Sequence, residues 1–355
     1  MDTDTNHVSI TTGGASLSSL STESAVSSSR QKGWVGEAAT YYHAPLIKRA
    51  HWTWEIILYF FLGGLAGGSF LVATIAHLFG STKDAPLVRA GRYLAFGSIS
   101  LSPFLLIKDL GRPARFHHML RILKFRSVMS IGSWAISFFG LFCGLATVYQ
   151  MANDGLFNWF PRLARFCKSL PIKAIEVPGA LFGLLVGSYT GVLLSSTAVP
   201  LWARARYVLG PLFLTSGLST ALSALSLILS TGRSRQETFA RLERAEMLTM
   251  TAEIGLSATL PSQLRALKQP LYQGKPGLLY NGGSVGAGLI LPLLLKLFTT
   301  KKGQPVSRKQ RVLTSSLVLV GGLALRASWI MAGRISADTP EATHIYNAME
   351  QQKNV

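Results

Sequence analysis

The stretch His51–Phe70, HWTWEIILYFFLGGLAGGSF, opens the first long apolar run of the chain, yet it carries a carboxylate at Glu55, a phenol at Tyr59 and two glycine pairs. The run continues to Phe79, and about 20 apolar residues are enough for a helix to cross a hydrocarbon core of roughly 30 Å. Similar runs recur at approximately Val88–Ile107, Val128–Met151, Ala174–Val199, Tyr207–Ser230, Ala245–Leu260, Leu278–Leu297 and Val312–Ala332. The sequence thus predicts an all-α membrane protein with eight transmembrane helices. The sixth run is the shortest and holds Glu246 and Glu253, so hydropathy alone also fits an interfacial or re-entrant piece there.

Composition agrees: 48% of the 355 residues are hydrophobic and 14% are charged. Residues 1–33, dominated by Ser, Thr, Ala and Gly, cannot bury enough apolar surface to offset their ordering entropy, and are expected to be disordered. They hold no basic patch followed by an apolar core, so the first span itself is expected to direct insertion. Residues 34–51 read as an interfacial segment, 52–334 as the helical domain and 335–355 as a short polar tail. The net charge of +19 fits loops beside anionic lipid, not nucleic acid. Cys143 and Cys167 are the only cysteines, without a C-x-x-C pair; this polypeptide alone builds neither an iron–sulfur cluster nor a thiolate metal site.

With eight spans, the N-terminus, the loops after spans two, four and six, and the C-terminus share one side, here the N-side. Lys and Arg divide almost evenly between the two sides, so the positive-inside rule gives no orientation. One basic block stands out on the N-side, Lys108–Arg126, with Arg112, Arg115, Arg121, Lys124 and Arg126. It fits either a loop held against lipid phosphates or a docking surface for an acidic subunit.

Ionisable groups inside spans face an interior or one another. Glu55 opens span one, Asp109 closes span two, Glu176 opens span four, Glu253 lies within span six and Arg326 within span eight. Spans six and eight run in the same direction, and Glu253 and Arg326 differ in depth by about 9 Å. They fit a buried ion pair or a step in a proton path equally. Tyr59 and Tyr189 fall in the N-side half of their spans, level with Trp52, Trp54, Glu55 and Asp109. Phenols to hydrogen-bond carbonyl oxygens, carboxylates to exchange protons and aromatic faces are what a quinone headgroup needs, although Tyr and Trp belts also occur without ligands.

Gly63/Gly67 and Gly64/Gly68 form two small-x-x-x-small stripes, a helix-packing signal. Neither these nor Gly282–Gly288 match a nucleotide loop. Of the histidines only His77 lies within a span, so the paired axial ligands of a transmembrane haem are lacking and no haem is expected. A transporter remains the competing class, with Glu253 and Arg326 as its charges, but no internal repeat is visible.

Five motifs in order resemble the NrfD/PsrC family, the integral membrane subunits of polysulfide reductase-like and nitrite reductase-like respiratory complexes. They are Trp52–Gly68; Asp109–Phe116, DLGRPARF; Ser127–Trp134, SVMSIGSW; Ser188–Ser195, SYTGVLLS, followed by Pro200, Leu201 and Trp202; and Arg326 in span eight. The resemblance implies two four-helix bundles in the cell (inner) membrane, binding menaquinone or ubiquinone near the surface where a ferredoxin-like [4Fe-4S] subunit docks. Electrons would pass between quinol and that subunit, and to or from a separate catalytic subunit of molybdopterin or multihaem type. It assigns quinone contact to Tyr59 and Tyr189 and proton transfer to Asp109; Trp54 and Glu55, level with them, are further candidates for quinone contact on depth alone. Glu253 and Arg326 are the candidates for any further proton movement. Glu55 departs from the family pattern, and the basic block becomes the expected docking surface.

Overall fold

The computed structural model describes residue 47 and residues 52–109, 118–232, 236–301 and 306–352. The Ser-rich segment, nearly all of the interfacial segment, and Arg112 and Arg115 lie outside the described residues. The described regular structure is all helical. Eight long helices follow one another: α1 Trp54–Phe79, α2 Ala85–Asp109, α3 Val128–Asn153, α4 Ile172–Ser195, α5 Arg206–Thr231, α6 Gln236–Leu264, α7, and α8 Arg308–Asp338. In α7 a π-helical stretch, Leu278–Ile290, continues as the α-helix Leu291–Lys301. Among the described residues, seven helices are long and apolar enough to cross a membrane, which makes this a multi-pass membrane protein. The exception is α6. Its 29 residues span about 43 Å at 1.5 Å per residue, but Glu237, Arg241, Glu243, Arg244, Glu246 and Glu253 lower its hydropathy.

Packing partners run antiparallel between neighbours in the sequence. On α1 and α2, Ala73 sits against Gly91 while Thr53 meets Asp109 near the other end. The two glycine stripes of α1 serve different neighbours. A Cβ at Gly67 would overlap the Gly183 carbonyl of α4, and one at Gly68 would press on Gly217 and Ala221 of α5. Side-chain-free backbone contact of this kind brings helices close enough for dispersion to hold them where lipid offers no hydrophobic drive. Thus α1 packs on α2, α4, α5 and α8, with α3 against α4 and α6 against α5, and α7 against α8. Cys143 and Cys167 are buried free thiols.

Two short stretches differ from the expectation. Residues 161–168, between spans three and four, form a helix, Pro161–Lys168. The segment from 335, expected as a polar tail, completes α8 and then forms a further helix, α9, Pro340–Gln351. Pro340 at its first turn suits helix initiation, and Glu350 ties its end to Arg204, 3.6 Å away.

Candidate functional site

The N-side ends of α1 to α4 enclose a cavity of about 80 Å³, lined by Trp52, Tyr59, Asp109, Met119, Gly132 and Tyr189 among others. Three of the residues singled out from sequence therefore meet at one place: Tyr59, Tyr189 and Asp109. Both tyrosines are buried. Neither phenol hydroxyl hydrogen-bonds to another protein group among the described residues, and both tyrosines line the same cavity. Room for the Tyr189 ring comes from Gly132 on α3, where a Cβ would overlap the ring carbons and the hydroxyl.

Two further cavities adjoin the first and share part of its wall. A groove of about 310 Å³ between α2 and α3, walled by Phe96, Ile99, Pro103 and Gly140, shares Leu106, Ser133 and Ile136 with it. A cavity of about 250 Å³ beside Arg121 and Lys124 shares Met119, Met129 and Ser133. The tyrosine cavity is thus flanked on one side by an apolar groove and on the other by a cavity at the basic loop, whose Arg121, Lys124 and Arg126 are exposed.

Trp54 and Glu55 do not line the cavity. Trp54 is exposed, with the Lys108 ammonium 4.9 Å from its ring centre. The cavity wall is formed instead by Trp52, stacked on the buried Trp202 at 5.1 Å, while Trp202 Nε1 donates to the Trp329 carbonyl at 2.8 Å. Glu55 is buried and pairs with Lys108 at 3.1 Å. Thr53, the residue before α1, does not cap its helix. Its hydroxyl lies against Glu55 and, at 3.2 Å, against Asp109. A hydroxyl has one proton to donate, so Thr53 serves the two carboxylates by sharing that proton or turning it from one to the other. Asp109, Thr53, Glu55 and the exposed Lys108 thus follow one another in contact, leading away from the cavity wall.

Glu253 and Arg326 are both buried in contact with α5 but do not form a direct ion pair. Glu253 accepts from Ser219 at 2.9 Å, and Arg326 donates to Ser216 at 2.8 Å and to the Gly322 carbonyl at 2.7 Å. Toward the opposite side Glu246 pairs with Lys296 and contacts Ser223, and Glu243 pairs with Arg311 at 3.0 Å. Sequence reading passed over Lys296 as a pairing group, although a lone lysine in an apolar run facing a glutamate-bearing helix signals one. It also missed Arg92 of α2, which binds Glu176 of α4 at 2.6 Å and Gln150 at 2.6 Å, with His77 on the other Glu176 oxygen.

The sequence profile described as "Polysulphide reductase, NrfD" matches residues 45–337. A polysulfide reductase polypeptide of Wolinella succinogenes is 30% identical over 302 residues, covering 80% of the present sequence and 94% of that protein. Protein NrfD of Escherichia coli K12 is 28% identical over 310 residues, 80% of the present sequence and 95% of that protein. A selenate reductase subunit of Mesobacillus selenatarsenatis is 31% identical over 96 residues, 27% of the present sequence and 22% of that protein. The extent of the profile match and its agreement with full-length relatives establish that this multi-pass chain belongs to the NrfD polysulphide reductase family of membrane proteins.

Proposed function

We propose that the protein is the quinone-binding membrane subunit of a respiratory oxidoreductase, exchanging electrons between the quinone pool and an iron–sulfur partner. The observation that carries this reading is the meeting of two buried phenols, from α1 and α4, with a carboxylate around one cavity beside an apolar groove. A quinone ring carries an oxygen at each end, and two phenol donors match that demand. The groove between α2 and α3 suits an isoprenoid tail, its wall being mostly apolar. Oxidation of a quinol releases two electrons and two protons. Tyr59 and Tyr189 hold the ring oxygens, and protons leave through Asp109, Thr53 and Glu55.

Electrons leave toward the basic loop, where Arg121, Lys124 and Arg126, with Arg112 and Arg115, form a docking face for an acidic ferredoxin-like [4Fe-4S] subunit. That subunit links to a separate catalytic subunit of molybdopterin or multihaem type; relatives that are named as parts of a polysulfide reductase and a selenate reductase support an assembly of this sort. The quinone is menaquinone or ubiquinone, and the complex sits in the cell inner membrane. In this reading α6 is the eighth span, its charges sheltered by α5, α7 and α8, and α1–α4 and α5–α8 are two four-helix bundles joined along α1, α4, α5 and α8. The test is Tyr59→Phe and Tyr189→Phe in the assembled complex. A loss of quinol-dependent electron transfer supports the site, and unchanged rates with both variants refute it.

A second reading has its own observation. Glu243, Glu246 and Glu253 follow one face of α6 and meet Arg311, Lys296 and the Arg326 cluster at successive depths. Such a column inside hydrocarbon suits proton movement coupled to the redox reaction. Glu253→Gln in proteoliposomes should then keep electron transfer while abolishing quinol-driven pH change; retention of the pH change refutes it.

A further inference from the structure

The short helix Pro161–Lys168 joins α3 to α4 at the opposite end of these helices from the tyrosine cavity. Its eight residues sort onto three faces at 100° per residue. Ala164 and Cys167, three apart, are buried against the protein. Leu163 and Phe166, again three apart, occupy an adjoining face and are exposed, Phe166 by 66%. Arg162, Arg165 and Lys168 take the remaining face and are exposed as well.

The residues leading into the helix extend the apolar side. Trp159 is 91% exposed and Phe160 67%. Four large apolar side chains thus stand unburied at the level where α3 has ended and α4 has yet to begin. The apolar phase adjacent to that level is the bilayer edge, continuous with the lipid-facing flanks of the two spans.

Charge decides which kind of bilayer edge. From Gly155 to Ala174 the sequence holds Arg162, Arg165, Lys168 and Lys173 and no Asp or Glu. The carboxylates that flank this segment are already engaged: Asp154 by Arg89 at 2.9 Å and Tyr93 at 2.6 Å, and Glu176 by Arg92. No ion pair among the described residues involves the four cations. A helix with aromatic and leucine side chains on one flank and cations on the next lies in the interface plane, its apolar flank among the acyl chains and its cations at the phosphates. Tryptophan beside it suits the headgroup level.

We propose that residues 159–168 form a binding surface for anionic phospholipid headgroups, anchored by Trp159, Phe160, Leu163 and Phe166 and made selective by Arg162, Arg165 and Lys168. This surface is separate from the proposed quinone cavity and independent of that reading.

The test uses the full-length protein in lipid nanodiscs whose acyl chains are brominated on either phosphatidylcholine or phosphatidylglycerol, in an equal mixture of the two lipids. The Trp159 signal is taken as the difference between wild type and Trp159→Phe. Bromine on phosphatidylglycerol should quench it about twofold more than bromine on phosphatidylcholine, since cations near the surface enrich anionic lipid. The triple variant Arg162→Gln/Arg165→Gln/Lys168→Gln should abolish that preference and retain quenching by both. Equal quenching in the wild type overturns the selectivity for anionic headgroups. A Trp159 unquenched by either lipid overturns the surface altogether, and shielding of Trp159 from aqueous iodide only in the assembled complex would assign the patch to a protein partner instead. Should the triple variant fail to fold, the wild-type comparison of the two brominated lipids decides alone.

Discussion

Replacing Gly132 by alanine adds a single methyl group to the wall of the tyrosine cavity. The added Cβ would coincide with the Tyr189 ring and its hydroxyl. No rotation of a methyl relieves such an overlap, so either the ring or the α3–α4 spacing shifts by about 1 Å or more. Overpacking of this kind costs about 1–3 kcal/mol. A positioning error near 1 Å at a reacting centre lowers turnover by about 10²-fold. The expected outcome in the assembled complex is a quinol-dependent rate reduced by between tenfold and a hundredfold, on the order of the positioning effect.

Two controls separate this from general damage. Gly97 on α2 has nothing within 4 Å of its Cβ position, so Gly97→Ala should leave the rate unchanged and should not lower thermal stability. Tyr189→Leu removes the hydroxyl that the methyl displaces, so adding Gly132→Ala to it should cost little more. The double-mutant cycle should therefore be strongly non-additive. Wild-type kinetics in Gly132→Ala, or independent effects of the two substitutions, would refute the role of Gly132 in seating Tyr189.

Thr53→Val should lower kcat for quinol oxidation by about tenfold and enlarge the solvent isotope effect, with KM little changed because Thr53 does not line the cavity; Thr53→Ser should restore both. Arg92→Met leaves the buried Glu176 without its guanidinium partner and should destabilise the protein by about 3–5 kcal/mol in detergent melts, with much of the loss recovered in Arg92→Met/Glu176→Gln. Gly67→Ala forces α1 away from the Gly183 carbonyl and should lower the melting midpoint more than Gly63→Ala, whose Cβ would sit 3.6 Å from Val186.

The helices were legible because a span must satisfy its backbone within itself, so long apolar runs leave few alternatives. The α1 run begins and ends where the sequence put it, Trp54 to Phe79. The α6 helix was the least legible. Its hydropathy is weakened by carboxylates whose cost is met by Lys296 and the α5 serines, and partners on other helices contribute nothing to a window of α6 alone. The C-terminal helix and Pro161–Lys168 were missed for a related reason: both are short, and length is the strongest helix signal in a membrane protein.

At the site, depth was readable and azimuth was not. Counting residues from the span ends put Tyr59, Tyr189 and Asp109 at one level, and they do share a cavity. The same count put Trp54 and Glu55 there too, but a helix turns 100° per residue, so residues a few steps apart can face opposite ways. Tyr59 faces inward among the α1, α3 and α4 side chains, while Trp54 faces outward with Lys108 over its ring. Thr53 gave no signal, because a threonine before a helix reads as an N-cap. Only the tertiary approach of α2 turns its hydroxyl from that local role to a bridge between two carboxylates. Glu55 is then placed without touching the cavity: it stands two hydrogen bonds beyond Asp109, through Thr53, on the path proposed for the proton. The oddness of a carboxylate at the head of an apolar run thus follows from the neighbour across the helix pair and not from the run itself.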